Sequence, residues 1–149
     1  MKDKLKNDLK ESMLQKDELR TSVLRLLLSA INYYEIQKGG AGYEATDEDV
    51  LSVIQKEVKQ RKDSIEQFKK AERQELVDKE EKEMAILNTY LPKQMGEEEI
   101  SKLVQDAIKE TGASSIADMG KVMGVLMPKV KGKADGNLVS SIVRKELAS

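Results

Sequence analysis

Apolar residues recur along this chain at the intervals of an α-helix. Leu5, Leu9 and Met13 fall at i, i+4 and i+8 and predict a short amphipathic first helix. A second is expected from about Asp17 to Gln37. There Leu19, Val23, Leu26, Leu27, Ala30, Ile31 and Tyr34 form an apolar face wide enough for the centre of a bundle. Gly39-Gly40-Ala41-Gly42 ends it, because glycine reaches left-handed conformations without steric cost. Thr46 before Asp47-Glu48-Asp49 signals the next start: a hydroxyl cap, then acids facing the positive end of the helix dipole. Leu51, Val58 and Ile65 follow at heptad spacing, interleaved with Ile54, Arg61 and Phe68, so the seam is apolar except at Arg61. A fourth helix carries Val77, Met84, Leu87 and Leu91 along one side. With i,i+4 pairs such as Lys59–Asp63 and Lys62–Glu66, the stretch from Thr46 to Leu91 reads as a long charged hairpin.

Pro92 disfavours helical geometry at Leu91, and Gly96-Glu97-Glu98-Glu99 begins afresh. This predicts two domains, 1–92 and 93–149. In the second, Ile100, Leu103, Val104, Ala107 and Ile108 line one helix, closed by Thr111-Gly112. Ser115, with Asp118 three residues on, is expected to cap the next, whose face is Ile116, Met119, Met123 and Leu126 and which Pro128 ends. Asp135 caps a last helix bearing Leu138, Val139, Ile142, Val143 and Leu147. The expected fold is all-α: an N-terminal helical domain with a long hairpin and a small C-terminal three-helix domain.

Composition narrows the chemistry. The 149 residues include no Cys, His or Trp. Disulfides, thiolate metal sites and cysteine nucleophiles are excluded. So are histidine general bases and Ser–His–Asp hydrolysis. Lys and Arg total 26 against 27 Asp and Glu, so no whole-molecule field steers the chain to nucleic acid. The uncharged run Leu26 to Tyr34 is nine residues and none is longer, against the ~20 a membrane-spanning helix needs. The first residues mix both signs of charge and lack an apolar leader core, so a cytoplasmic protein is expected.

Asp47-Glu48-Asp49 and Glu97-Glu98-Glu99 offer hard-cation ligands, but dipole compensation explains them without a metal. Asp78, Glu80, Glu81 and Glu83 read as a solvated face. The glycine run lacks the Gly-Lys-Ser/Thr of a phosphate loop. Gly120 and Gly124, four apart, suggest close approach of a neighbouring helix. Met119, Met123 and Met127 suit core packing, with a partner groove as the alternative. No catalytic set, metal or cofactor is implied. From Gly120 to Ala134 there are four lysines, Lys121, Lys129, Lys131 and Lys133, and no acid; Arg144 and Lys145 follow. Lysines beside helix N-termini are usual contacts to phosphates, and an ordinary solvated loop is the alternative. No aromatic residue lies among them for base stacking.

Three stretches carry a family resemblance: Leu87-Asn88-Thr89-Tyr90-Leu91-Pro92-Lys93-Gln94, Asp118-Met119-Gly120-Lys121-Val122-Met123-Gly124 and Lys131-Gly132-Lys133-Ala134-Asp135-Gly136. With Val58 to Phe68 they closely resemble the YqeY family, which is similar to the C-terminal tail of the B subunit of glutamine-dependent tRNA amidotransferase. Where members typically read Lys-Ala-Gly-Arg, this chain has Lys70-Ala71-Glu72-Arg73, without the helix-breaking glycine. The resemblance implies a tRNA-recognition tail without the ATP-using and glutamine-hydrolysing parts of the amidotransferase. By position, Lys121, Lys129, Lys131, Lys133, Arg144 and Lys145 are the candidate RNA contacts. The reading is a non-catalytic module for tRNA or another structured RNA. Two alternatives stand beside it. One is an adaptor for a translation or amidotransferase partner; the other is a carbon–nitrogen ligase subunit with glutamine as amide donor, for which no catalytic residues are visible.

Overall fold

The computed structural model describes residues 1–148 and is all-α, with seven α-helices, one short 3-10 turn and no strand among those residues. The chain divides into two compact units, Met1–Leu91 and Pro92–Ser149.

The first unit contains α1 (Lys2–Leu14), α2 (Glu18–Gly39), α3 (Asp47–Lys70) and α4 (Gln74–Asn88). α1 packs on α2, α3 and α4 form the hairpin, and α2 lies against both. Leu5, Val23, Leu24, Leu27, Ile31, Val50, Val53, Ile54, Val58, Leu87 and Tyr90 form one core. Leu26 and Met13, expected on buried faces, are instead 54% and 49% exposed. The apolar spacing on α2 is broader than the surface its neighbours cover, so its outer edge stays in water. α4 stops at Asn88, three residues before Leu91, and Thr89–Tyr90 form a turn ahead of Pro92. Glu83 departs from the solvated reading: it is buried, because the seam of the hairpin brings it opposite Arg61.

Asp49 organises the junction of α2 and α3. It completes a capping box with Thr46 and also accepts hydrogen bonds from Tyr34 Oη (2.8 Å), Tyr43 Oη (2.6 Å) and Lys38 Nζ (3.0 Å). The Tyr43 hydroxyl, the Thr46 N–H and the Lys38 ammonium hold its carboxyl well below the usual carboxylate range. Lys38 lies 5.4 Å from the ring centres of both tyrosines. Glu35, buried beside them, accepts from Lys2 Nζ at 2.6 Å and from the Ala45 N–H at 2.7 Å. Asp49 at this helix start therefore does more than face the dipole, since it and Glu35 of α2 tie down the loop.

The hairpin turns sharply despite the missing glycine. Arg73 N–H donates to Phe68 O (2.9 Å) and Glu72 N–H to Lys69 O (3.1 Å), a Schellman closure in which Glu72 takes φ +55°. Lys16 closes α1 in the same way, at φ +57°.

The second unit contains α5 (Glu97–Thr111), a 3-10 turn (Ile116–Asp118), α6 (Met119–Val130) and α7 (Gly136–Ala148). Ile100, Val104, Ala107, Val122, Leu126, Val130, Val139 and Val143 fill its core, with Met119 and Met123 packed against it. Three expectations change. The Ser115 hydroxyl makes no cap hydrogen bond; the Asp118 carboxylate accepts the Ser114 N–H at 3.0 Å and α6 starts after it. Pro128 does not end its helix, which runs on to Val130. It sits in the last turn, so the one bond that its missing N–H forfeits and any kink it imposes leave little helix beyond it to disrupt. No helix closely approaches Gly120 or Gly124: a Cβ at either position would meet nothing within 4 Å. Both lie on the outer face of α6, opposite Val122 and Leu126.

Candidate nucleic-acid interface

The lysine loop is built from its backbone outward. Past the last turn of α6, Lys133 and Ala134 both donate to Val130 O, at 2.9 and 3.0 Å. Gly132 is buried at φ +76°, a conformation its missing Cβ permits. The segment after Pro92 then straps the loop. Met95 N–H donates to Lys133 O (2.9 Å), and Gln94 Nε2 donates to Gly132 O (3.0 Å) and Pro92 O (2.8 Å). With these carbonyls turned inward, Lys129, Lys131 and Lys133 are all exposed. Asp135 begins α7, its Oδ1 accepting the Asn137 N–H at 3.2 Å, so a helix N-terminus follows the lysines directly. Gln94 and Met95 are the structural residues without a role in the sequence expectations; the Leu-Pro-Lys-Gln motif marked Gln94, and nothing marked Met95.

Not all six candidate cations share one spot. Lys121 and Lys129 are eight residues apart on α6, about 12 Å along the axis. α7 returns beside α6 and touches the 3-10 turn, which sets Arg144 and Lys145 toward the Lys121 end. Lys129, Lys131 and Lys133 thus lie at one end of α6 and Lys121 at the other, the end toward which α7 carries Arg144 and Lys145. The fold also brings in acids that the linear stretch lacks. Lys129 Nζ is 3.8 Å from Glu110 on α5, and Lys121 Nζ is 4.0 Å from Asp118. These are long, solvent-exposed pairs of small energetic weight, and a phosphate can displace them. The Asp118 carboxyl is held below its ordinary value by the Ser114 N–H first and by Lys121 after it.

The first unit carries a surface cleft of about 510 Å³ lined by Lys4, Asp8, Asp17, Arg20, Ile86, Thr89 and Tyr90. Tyr90 Oη donates to Asp8 Oδ2 at 2.6 Å, and Lys4 Nζ lies 5.7 Å from its ring centre. Burial and the Asp8 carboxylate push the Tyr90 hydroxyl above its ordinary pKa. Two cations and two carboxylates offset each other here, so the cleft presents no single charge to a ligand. Among the described residues, no group of three Asp or Glu is arranged to hold a metal ion, and no helix is long and apolar enough to cross a membrane.

Comparison with known proteins identifies the lineage. A family model described as "Yqey-like protein" matches residues 2–147. The chain belongs to that family. Several relatives of this Yqey-like chain are called "Altered inheritance of mitochondria protein 41, mitochondrial". The one from Lachancea thermotolerans is 46% identical over 88 residues, covering 58% of this chain and 46% of the relative. That from Pyrenophora tritici-repentis is 34% identical over 95% of this chain and 78% of its own length. A Saccharomyces cerevisiae relative is 34% identical over 80% of this chain and 66% of its own. The match thus spans about half of the Lachancea relative, just under two thirds of the Saccharomyces one and over three quarters of the Pyrenophora one. The expectation of a cytoplasmic protein is corrected here, because these relatives are named as mitochondrial. Compartment is set by an address that receptors read, which neither the helical pattern nor the charge balance reports.

Proposed function

We propose that this Yqey-like chain is a non-catalytic RNA-binding module, with tRNA as the expected ligand. The observation that carries the reading is the strapped loop, in which inward carbonyls leave Lys129, Lys131 and Lys133 in water beside the start of α7. Ammonium groups on a fixed backbone, beside the positive end of the α7 dipole, suit the non-bridging oxygens of successive phosphates. Lys121, Arg144 and Lys145 supply a second contact on the same unit, so a structured RNA fits better than a short single strand. With no aromatic residue among these cations, recognition is of backbone and shape rather than of base identity.

The test is binding of the full chain to bulk deacylated tRNA across a salt series, with Lys129→Ala/Lys131→Ala/Lys133→Ala alongside. Wild type should bind, with affinity falling steeply as salt rises. The triple variant should keep its helix content, bind more weakly and lose about three from the salt slope, one for each phosphate contact. Absence of wild-type binding at low salt, or binding that the triple variant retains unchanged, would overturn the reading.

A further inference from the structure

Among the described residues, seven large apolar side chains stand exposed, and five of them lie in one region of the first unit. Leu26, Tyr33 and Ile36 are 54%, 67% and 62% exposed on α2; Met13 and Leu14, 49% and 84% exposed, end the neighbouring α1. Arg25 joins the two groups, its Nη2 lying 3.8 Å from Met13 Sδ. Leu26, Ser29, Tyr33 and Ile36 fall at i, i+3, i+7 and i+10, one face of the helix. Scattered single apolar residues on a surface need no explanation, whereas a contiguous group does. The five leave on the order of 500 Å² of apolar side chain in water, near the upper end of what one patch on a monomer exposes. With Arg25 and the serines around them, that approaches the roughly 800 Å² each partner gives to a standard interface.

We propose that this face binds a second copy of the chain, with the two α2 helices antiparallel across a two-fold axis at Ser29. The spacing is self-complementary about that residue at two pairs of positions, while Leu26, three positions away, falls at the edge opposite Asn32. Arg25 and Tyr33 each lie four positions from Ser29, so the axis brings the guanidinium of one copy onto the Tyr33 ring of the other, twice. Ser22 and Ile36 each lie seven positions away, so the exposed isoleucine meets a small side chain. Ser29 itself is small enough for the helices to approach at the centre. Arg25 is the one exposed charge on α2 between Ser22 and Gln37. A second copy supplies it with the Tyr33 ring, which already stands exposed on the same face. The near-zero net charge of the chain adds little repulsion between copies.

The chain has no cysteine, which makes the test direct. Sedimentation of the full chain should give a dimer at about 100 µM, well above the micromolar weak end for such an area. Leu26→Glu, at an exposed position, should keep its helix content and raise the dissociation constant at least about tenfold, since each copy then buries a carboxylate. Ser29→Cys should form a disulfide-linked dimer on oxidation at least about tenfold faster than Gln105→Cys, an exposed control on α5. A chain that is monomeric at that concentration overturns the proposal, leaving the face to another macromolecule. A dimer that survives Leu26→Glu, or whose Ser29→Cys form links no faster than the control, overturns it too, because its interface lies elsewhere.

Discussion

Arg61 Nε lies 3.4 Å from Glu83 Oε2 across the α3–α4 hairpin, and each side chain is only 9% exposed. Arg61 Nη1 also reaches Glu57 Oε2 at 3.0 Å, while its Nε–H is buried without a good hydrogen-bond partner among the described residues. The hairpin thus carries a charged layer at a position where apolar side chains would pack. Beyond it, Ile65 and Val77 are buried but fall outside the main core that Val58 and Leu87 join.

Removing one partner should therefore cost more than removing both. Glu83→Ala leaves a buried guanidinium less compensated and is expected to lower the unfolding free energy by about 3 kcal/mol. Arg61→Met/Glu83→Leu should fall within about 1 kcal/mol of wild type or exceed it, because an apolar layer avoids the desolvation of both ions. Urea unfolding of the two variants beside wild type checks this. A double variant as unstable as the single one would mean that the pair contributes net stability.

Glu72 takes a left-handed conformation that costs a non-glycine residue roughly 1 kcal/mol. Glu72→Gly should relieve it and raise stability by about 0.5–1 kcal/mol, partly offset by the greater freedom of glycine in the unfolded chain. The reverse holds for Glu72→Val, whose branched Cβ is poorly tolerated there. Denaturant midpoints of the two variants should move in opposite directions.

Glycines on helices should respond according to their surroundings. Gly120→Ala and Gly124→Ala place a methyl group in open space and should each stabilise the second unit by about 0.5–1 kcal/mol. Gly39→Ala would set its Cβ 2.8 Å from Tyr43 Cβ, displacing a tyrosine that holds Asp49, and should destabilise the first unit. Hydrogen exchange resolved by unit separates the two effects.

Asp49 gives the first unit a definite acid response. Its pKa in the fold is depressed below the unfolded value of about 3.9. The stability it contributes is complete above that unfolded value and is lost as pH falls through the lower, folded one. Asp49→Asn, which cannot carry the charge that Lys38 and the tyrosines bind, should lower Tm at neutral pH. It should also flatten the decline below about pH 4. Thermal unfolding of both proteins from pH 7 to pH 2 tests this, and parallel curves would remove Asp49 as a cause of acid sensitivity.

The helices are legible in the linear chain, because the period of apolar residues is a local property that each segment carries alone. The Thr46 cap, the halt at Pro92 and the Asp135 start follow equally from chemistry within a few residues. The lysine loop was legible for the same reason, as an acid-free run. The tertiary structure decided which faces meet. It placed Glu83 against Arg61, left Leu26 and Met13 in water, set Glu110 beside Lys129 and carried α7 back along α6 to the 3-10 turn. Each of these depends on pairing segments distant in sequence, and burial is a property of the pair rather than of either helix. The strap from Gln94 and Met95 to the lysine loop belongs to the same class, since its donors and acceptors lie nearly forty residues apart. The left-handed turn at Glu72 shows the converse: the hairpin's packing imposed a backbone conformation that its own residue disfavours.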